Sequence, residues 1–171
     1  MAVSLNHTIV AAQNKKKAAL FLTEILGLPP PSLLGPFAGV TVGDTSLDYM
    51  ETDDEIVSQH YAFLVSEIEF DQIFERIRER RLTYWADPYR QERDQINGWD
   101  DGRGLYFEDP NGHLLEIITR PYGSGGPAAS RPHPLVARSL EPENQQADSG
   151  RRGKSGGGRL ATAEQQGRQG E

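Results

Sequence analysis

Two histidines and two carboxylates occupy matching places in the two halves of this sequence. His7 opens the β-like run His7-Thr8-Ile9-Val10, and His60 opens His60-Tyr61-Ala62-Phe63-Leu64-Val65. Each run precedes an amphipathic helical segment and then further strand-like runs, one holding Leu47-Asp48-Tyr49 and the other Leu115-Glu116-Ile117. Two neutral imidazoles and one carboxylate form a common donor set for a mononuclear divalent metal with open coordination positions. His7, His60 and Glu116 make that set if their strands lie side by side. Glu116 stands out because Leu114, Leu115, Ile117 and Ile118 surround it. A carboxylate in such a run is costly to bury unless paired or coordinated, and otherwise it faces water from a one-sided sheet. Asp48 is open among three roles: a fourth ligand, a general base beside the metal, or a solvent-facing strand residue. His113 sits next to a turn, which suits a surface position, and ranks below the others.

The elements that must position these groups come in the same order twice. Leu5 to Ala12 alternates as a strand, with His7, Ile9 and Ala11 on one face. Asn14 is a suitable N-cap for a helix whose apolar stripe is Ala18, Phe21, Leu22, Ile25 and Leu26. Gly27 suits the left-handed residue past its end, and Pro29-Pro30-Pro31 forbids continuation. Phe37–Val42 and Ser46–Met50 follow as strands across a Gly43-Asp44 turn. In the second half Gln59–Val65 is a strand, and Ser66 with Glu69 forms a capping box for a helix carrying Phe70, Ile73, Phe74 and Ile77. Thr83–Ala86, Arg103–Glu108 and His113–Arg120 are strands, the last two joined by the Asp109-Pro110-Asn111-Gly112 turn. Neither half closes a core alone, so the halves are expected to pair into one curved sheet with helices outside. The long polar connection 87–102 has the character of a lid or binding loop, with Trp99, Tyr89, Arg90, Arg93 and Asn97 available to a small ligand.

Composition divides the 171 residues at Tyr122, beyond which there is no Phe, Trp, Tyr or Ile. Runs such as Gly156-Gly157-Gly158 bury too little apolar surface to offset the entropy of ordering, so 123–171 is expected to be a disordered tail, His133 included. The single domain is then 1–122, with modules at about 4–52 and 59–122. That body keeps 11 of the 18 basic and 20 of the 25 acidic residues, an acidity that disfavours nucleic acid as a partner. The short basic stretch Arg151–Lys154 reads as solvated tail. Without cysteine there are no disulfides, thiolate sites or cysteine nucleophiles. No apolar run nears the roughly 20 residues that span a bilayer, and no secretory leader pattern opens the chain. A cytoplasmic protein with no membrane partner is expected.

The segment Tyr106-Phe107-Glu108-Asp109-Pro110-Asn111-Gly112-His113-Leu114-Leu115-Glu116 resembles the C-terminal signature of the vicinal oxygen chelate superfamily. The His7 strand, the helix end Phe21–Leu28 and the His60 strand match it in order and spacing, so the resemblance covers residues 4–122. That superfamily includes glyoxalase I, bleomycin-resistance proteins, fosfomycin-resistance enzymes and extradiol dioxygenases. The resemblance implies an α+β fold of two βαβββ modules forming a cup around one divalent ion, Fe2+, Mn2+, Zn2+ or Ni2+. It assigns the ligand roles to His7, His60 and Glu116. It further implies a homodimer; members of the superfamily sometimes build each metal site from both chains, and in a shared site His7 would come from one subunit and Glu116 from the other. Glyoxalases carry an acid where this chain has the shorter Asp48. The phosphonate-holding basic and hydroxyl residues of the fosfomycin enzymes have no evident match. The expected activity is Lewis-acid catalysis on a small bidentate oxygen substrate, with lyase, isomerase and oxygenase outcomes all open. Glu116 and Asp48 would do the chemistry, and Tyr61, Trp85, Trp99 and Arg103 would wall the pocket. The alternative is a metal-free protein that sequesters a small molecule, as bleomycin-resistance proteins do.

Overall fold

The computed structural model describes residues 3–135. Met1, Ala2 and residues 136–171 lie outside the described residues, and with them most of the expected tail and its Arg151–Lys154 stretch. Among the described residues no helix is long and apolar enough to cross a membrane.

Each half builds one helix and one four-stranded mixed sheet. In the first half β1 (His7–Ala12) leads to α1 (Lys15–Leu26), followed by β2 (Ser32–Leu34), β3 (Phe37–Val42) and β4 (Thr45–Glu51). The second half repeats this with β5 (His60–Leu64), α2 (Glu67–Glu79), β6 (Tyr84–Trp85), β7 (Gly104–Glu108) and β8 (Leu114–Ile118). The strand orders β1-β4-β3-β2 and β5-β8-β7-β6 are the same, with β1–β4 and β5–β8 parallel. The α+β class and the paired βαβββ modules are therefore as expected. The modules differ from the expectation in forming two separately hydrogen-bonded sheets rather than one. β2 carries no strand signal in the sequence, because Pro29-Pro30-Pro31 immediately precede it and three residues are too few to show a period.

The helices begin and end where their local chemistry dictates. Asn14 accepts from the Lys17 N–H, and Gly27 adopts φ 73° to close α1. Gly27 also lies under Arg76, so a Cβ there would stand 2.9 Å from the guanidinium. Ser66 and Glu69 close a reciprocal capping box on α2. Both helices bury their apolar stripes on the strand residues of alternate parity, including Val10, Tyr49, Phe63, Leu105, Phe107, Leu115 and Ile117. The residues of opposite parity, the chemical ones, are left on the other face of each sheet.

The modules are tied to each other by directed polar contacts as well as by this core. Arg76 donates to the Ile25 carbonyl at 3.1 Å, and Arg80 pairs with Glu24 at 2.6 Å. His113, expected at the surface, is 1% exposed. Its Nδ1 accepts from the Gln59 N–H at 3.1 Å, so Nε2 carries the proton and donates to the Ala11 carbonyl at 2.8 Å. A turn-adjacent position placed it at the seam between modules, where the neighbouring backbone needed one donor and one acceptor.

The connection after β6 is ordered by a buried carboxylate. Asp87 accepts from the N–H groups of Tyr89, Gln91 and Glu92, and bridges at Trp85–Arg93 and Asn97–Gly104 fasten the rest. A short 3-10 turn, Trp99–Asp101, then brings Trp99 over the second sheet. The chain also stays against the body beyond Tyr122. Asp100 accepts from the Gly123 and His133 N–H groups, and Asp101 accepts from the Ser130 N–H.

Candidate functional site

The sheet registers reproduce the His-then-acid repeat. In the first sheet Ile9, two residues after His7, pairs with Asp48. In the second, Ala62, two residues after His60, pairs with Glu116. Each histidine and its acid thus share one sheet face, one step apart along the strands.

Only the second pair closes. His60 Nε2 lies 3.2 Å from Glu116 Oε2, and Glu116 is fully buried. His60 Nδ1 lies 3.1 Å from the Leu114 carbonyl, an oxygen that can only accept, so Nδ1 carries a proton. In the neutral ring, Nε2 then presents a lone pair to a carboxylate oxygen. Such an arrangement calls for a positive centre, either a proton on Nε2 or a cation held by both groups. Accordingly the His60 pKa is raised, first by its hydrogen bond to Glu116, with burial opposing.

The same carboxylate oxygen is also held by phenols. Tyr122 donates a very short hydrogen bond to Glu116 Oε2, and Tyr106 stands 3.3 Å from the Tyr122 hydroxyl. Burial, and then the bond to Glu116, push the Tyr122 pKa up, so it remains a donor at neutral pH. Glu116 Oε1 is buried with no hydrogen-bond partner among the described residues. An orphaned carboxylate oxygen is costly to bury and marks a place for a ligand or ion.

Above this pair lies a cavity of about 390 Å3, lined by His60, Trp99, Tyr106, Tyr122 and His133 together with the Asp87–Glu92 turn. Tyr106 stacks on His60 with centroids 5.9 Å apart, and Trp99 meets Tyr106 edge-on at 6.3 Å. His133, assigned to the tail from composition, is 3% exposed and stacks on Tyr122 at 4.0 Å. Composition could not reveal this, because the segment is held by backbone hydrogen bonds to carboxylates rather than by apolar side chains.

The other expected residues are placed elsewhere. His7 and Asp48 lie in the first sheet, on an open cleft of about 320 Å3 with Asn6, Thr45 and Ser46. His7 Nδ1 bonds Asn6 Oδ1 at 2.8 Å, and Asp48 accepts from Ser46 Oγ at 2.5 Å. Asp48 does not reach His7 as Glu116 reaches His60. Among the described residues no three His, Asp or Glu side chains converge as a metal cage within one chain. Of the expected pocket residues, Trp99 lines the cavity. Arg103 does not: it has the parity of Leu105 and Phe107 and turns to the helix side. There it pairs with Glu67 and Asp71, each at 2.6 Å, and lies over the Phe70 ring. Tyr61 likewise takes the face opposite His60, edge-on to His113 and bonded to Gln59. Trp85 stays on the Tyr106 side of the sheet but is covered by the Arg90 guanidinium, 5.9 Å from its ring.

A divalent cation suits this donor set: an imidazole nitrogen fixed by its carbonyl partner, and a buried carboxylate with one oxygen unsatisfied. Fold and site together define a paired-module protein with an open His–carboxylate pocket. Residues 4–117 match the model of the Glyoxalase/Bleomycin resistance protein/Dioxygenase superfamily, and the chain belongs to that family. It is 32% identical over 124 residues to a glutathione transferase, FosA of Serratia marcescens, a match covering 68% of this chain and 81% of that one. Among solved structures it is similar to the oxidase ChaP-H2, with 61% identity, a TM-score of 0.72, and coverage of 74% of this chain and all of that one. It is also similar to the oxidase ChaP-H1, with 55% identity, a TM-score of 0.70, and coverage of 71% and 99%.

Proposed function

We propose that this chain is a divalent-metal-dependent oxidase acting on a small, planar substrate with two adjacent oxygens, with dioxygen as oxidant. The observation that carries the reading is the lone pair of His60 Nε2 facing the buried carboxylate of Glu116 beneath an aromatic cavity. His60 and Glu116 would hold the cation, with His7 of a second copy as third donor. When bound, the cation supplies Lewis acidity, drawing charge from the substrate's paired oxygens.

The remaining work falls to the chain. Tyr122 and His60 fix the orientation of Glu116, and Trp99 and Tyr106 receive the flat face of the substrate and exclude water. Asp48 shares a sheet face with His7 and would arrive with it as the base that takes a hydroxyl proton. Two electrons and two protons leave the paired hydroxyls, and dioxygen takes them up as hydrogen peroxide. The likeness to two oxidases over nearly the whole of those chains favours this outcome over lyase or isomerase chemistry. The more distant transferase relative is the weaker guide.

A homodimer is part of the proposal. The His7 face exposes Ile9, Leu34 and Met50, and the His60 face exposes Leu64. Apolar side chains flanking two half-sites fit a second copy better than water.

The test is an oxygen-electrode and peroxide assay with catechols, using protein loaded with Fe2+ or Mn2+. Oxygen uptake matched by peroxide, lost in Glu116→Ala, supports the reading. Turnover without oxygen uptake would remove the oxidase assignment. Undiminished catechol binding by protein that takes up no metal would favour a sequestering role.

A further inference from the structure

The geometry points to His133 as a substrate-orienting hydrogen-bond donor, delivered into the pocket by the segment 123–135. Three independent observations carry this. The first is the state of the ring. His133 Nδ1 accepts from the Leu135 N–H at 3.2 Å, so the proton of the neutral imidazole sits on Nε2. That Nε2–H is buried with no partner among the described residues.

The second is its place. The ring stacks on Tyr122, the residue that donates to Glu116, and meets Trp99 edge-on at 4.7 Å. His133, with its unsatisfied Nε2–H, lines the cavity, and the unsatisfied Glu116 Oε1 is buried behind His60 and Tyr122, which line the same cavity. A ligand oxygen in the cavity that accepts from this Nε2–H satisfies the donor. Burial lowers the His133 pKa despite the charges of Asp100 and Glu116, which keeps the ring neutral and Nε2 a donor.

The third is how much structure is committed to holding it there. Asp100 and Asp101 both take left-handed backbone conformations, φ 54° and 57°, which L-residues avoid. In that conformation Asp100 accepts from Gly123 N and His133 N, its own N–H donates to the Arg131 carbonyl at 2.6 Å, and Asp101 accepts from Ser130 N through both oxygens. Gly125 packs so closely that a Cβ would stand 3.0 Å from the Asp100 Cα. A brace of this kind fixes a side chain, and the side chain it fixes is His133. The chemical class that fits is a planar molecule with an acceptor oxygen at its edge, as the paired-oxygen substrate proposed above has.

The role rests on the cavity being the substrate site, as proposed above, but not on the metal. The test uses the full chain, with 4-nitrocatechol titrated by absorbance and Mn2+ by calorimetry. His133→Phe keeps an aromatic ring and deletes the donor, His133→Leu is a second donorless variant, and His133→Gln restores an N–H. The donorless variants are expected to bind the probe about tenfold more weakly, with His133→Gln within about threefold of wild type and Mn2+ affinity unchanged in all. Probe affinity equal to wild type in both donorless variants would overturn the proposal. So would loss of Mn2+ in them, which would make His133 a ligand instead. Wild type that takes up no Mn2+ yet shows the same His133 dependence would support the donor and remove only the metal reading.

Discussion

Replacing Tyr122 by Phe should destabilise the metal-free protein by about 2 kcal/mol, a charge-assisted hydrogen bond to a buried carboxylate being worth about 1.5–3 kcal/mol. Glu116 is fully buried, and His60 and Tyr122 are its partners on the Oε2 side. Without the Tyr122 phenol, His60 and the Tyr106 hydroxyl are left to offset the charge, and Oε1 remains unsatisfied. The Phe ring keeps the stack on His133, so packing changes little. With a urea m-value of about 2 kcal/mol/M the midpoint should fall by about 1 M, and m should be unchanged. The same substitution in a Glu116→Gln background should cost only about 0.5–1 kcal/mol, because a neutral acceptor needs the donor less. Saturating divalent metal should shrink the wild-type difference as well. A midpoint shift below about 0.2 M in metal-free protein, or an equal cost in both backgrounds, would refute the placement of the buried charge.

Four further outcomes follow from the proposed site and its surroundings. Mixing His7→Ala and Glu116→Ala variants should restore metal binding that neither has alone, because the mixed dimer regains one intact site. Native mass spectrometry showing mixed dimers without recovered metal would refute a shared site. Asp100→Ala should release the segment 123–135, read as faster amide exchange at 123–135 and a change in Trp99 fluorescence, with global stability falling by about 1–3 kcal/mol. In wild type the same release should grow as pH falls below about 6.5, since the docked, buried His133 resists the proton that the undocked ring accepts. Stability there declines with acid because the docked pKa is the lower one. Arg103→Ala should cost at most about 1–2 kcal/mol through lost ion pairs and the Phe70 contact, and should leave 4-nitrocatechol affinity unchanged.

The His60–Glu116 pair was legible in the sequence because two periodicities agree. The strand period of two sets the face, and the repeat sets the matching place in each half. The same parity exposes the misplacement of Arg103 and Tyr61, whose side chains turn to the helix face while their neighbours Gly104 and His60 mark the site side. The failure of Asp48 to reach His7 is a matter of side-chain length, and the Ser46 hydroxyl takes the carboxylate instead. What could not be read were contacts between polar groups distant in sequence. His113 is buried because the Gln59 N–H and the Ala11 carbonyl converge on it, and His133 because Asp100 and Asp101 grip backbone some thirty residues away. Neither leaves a trace in composition or periodicity. Glycine and serine around residues 123–130 argued for disorder on entropic grounds, an argument that holds only until something binds the backbone.

Whether His60 and Glu116 hold a metal is decided by titrating metal-free protein with Mn2+ or Zn2+ beside Glu116→Ala and His60→Ala. The expected result is one ion per chain in wild type, no measurable uptake in either variant, and far-ultraviolet circular dichroism showing that both still fold. Wild type that binds no divalent ion, or a folded Glu116→Ala variant that binds it as tightly, would show that His60 and Glu116 are not a metal site.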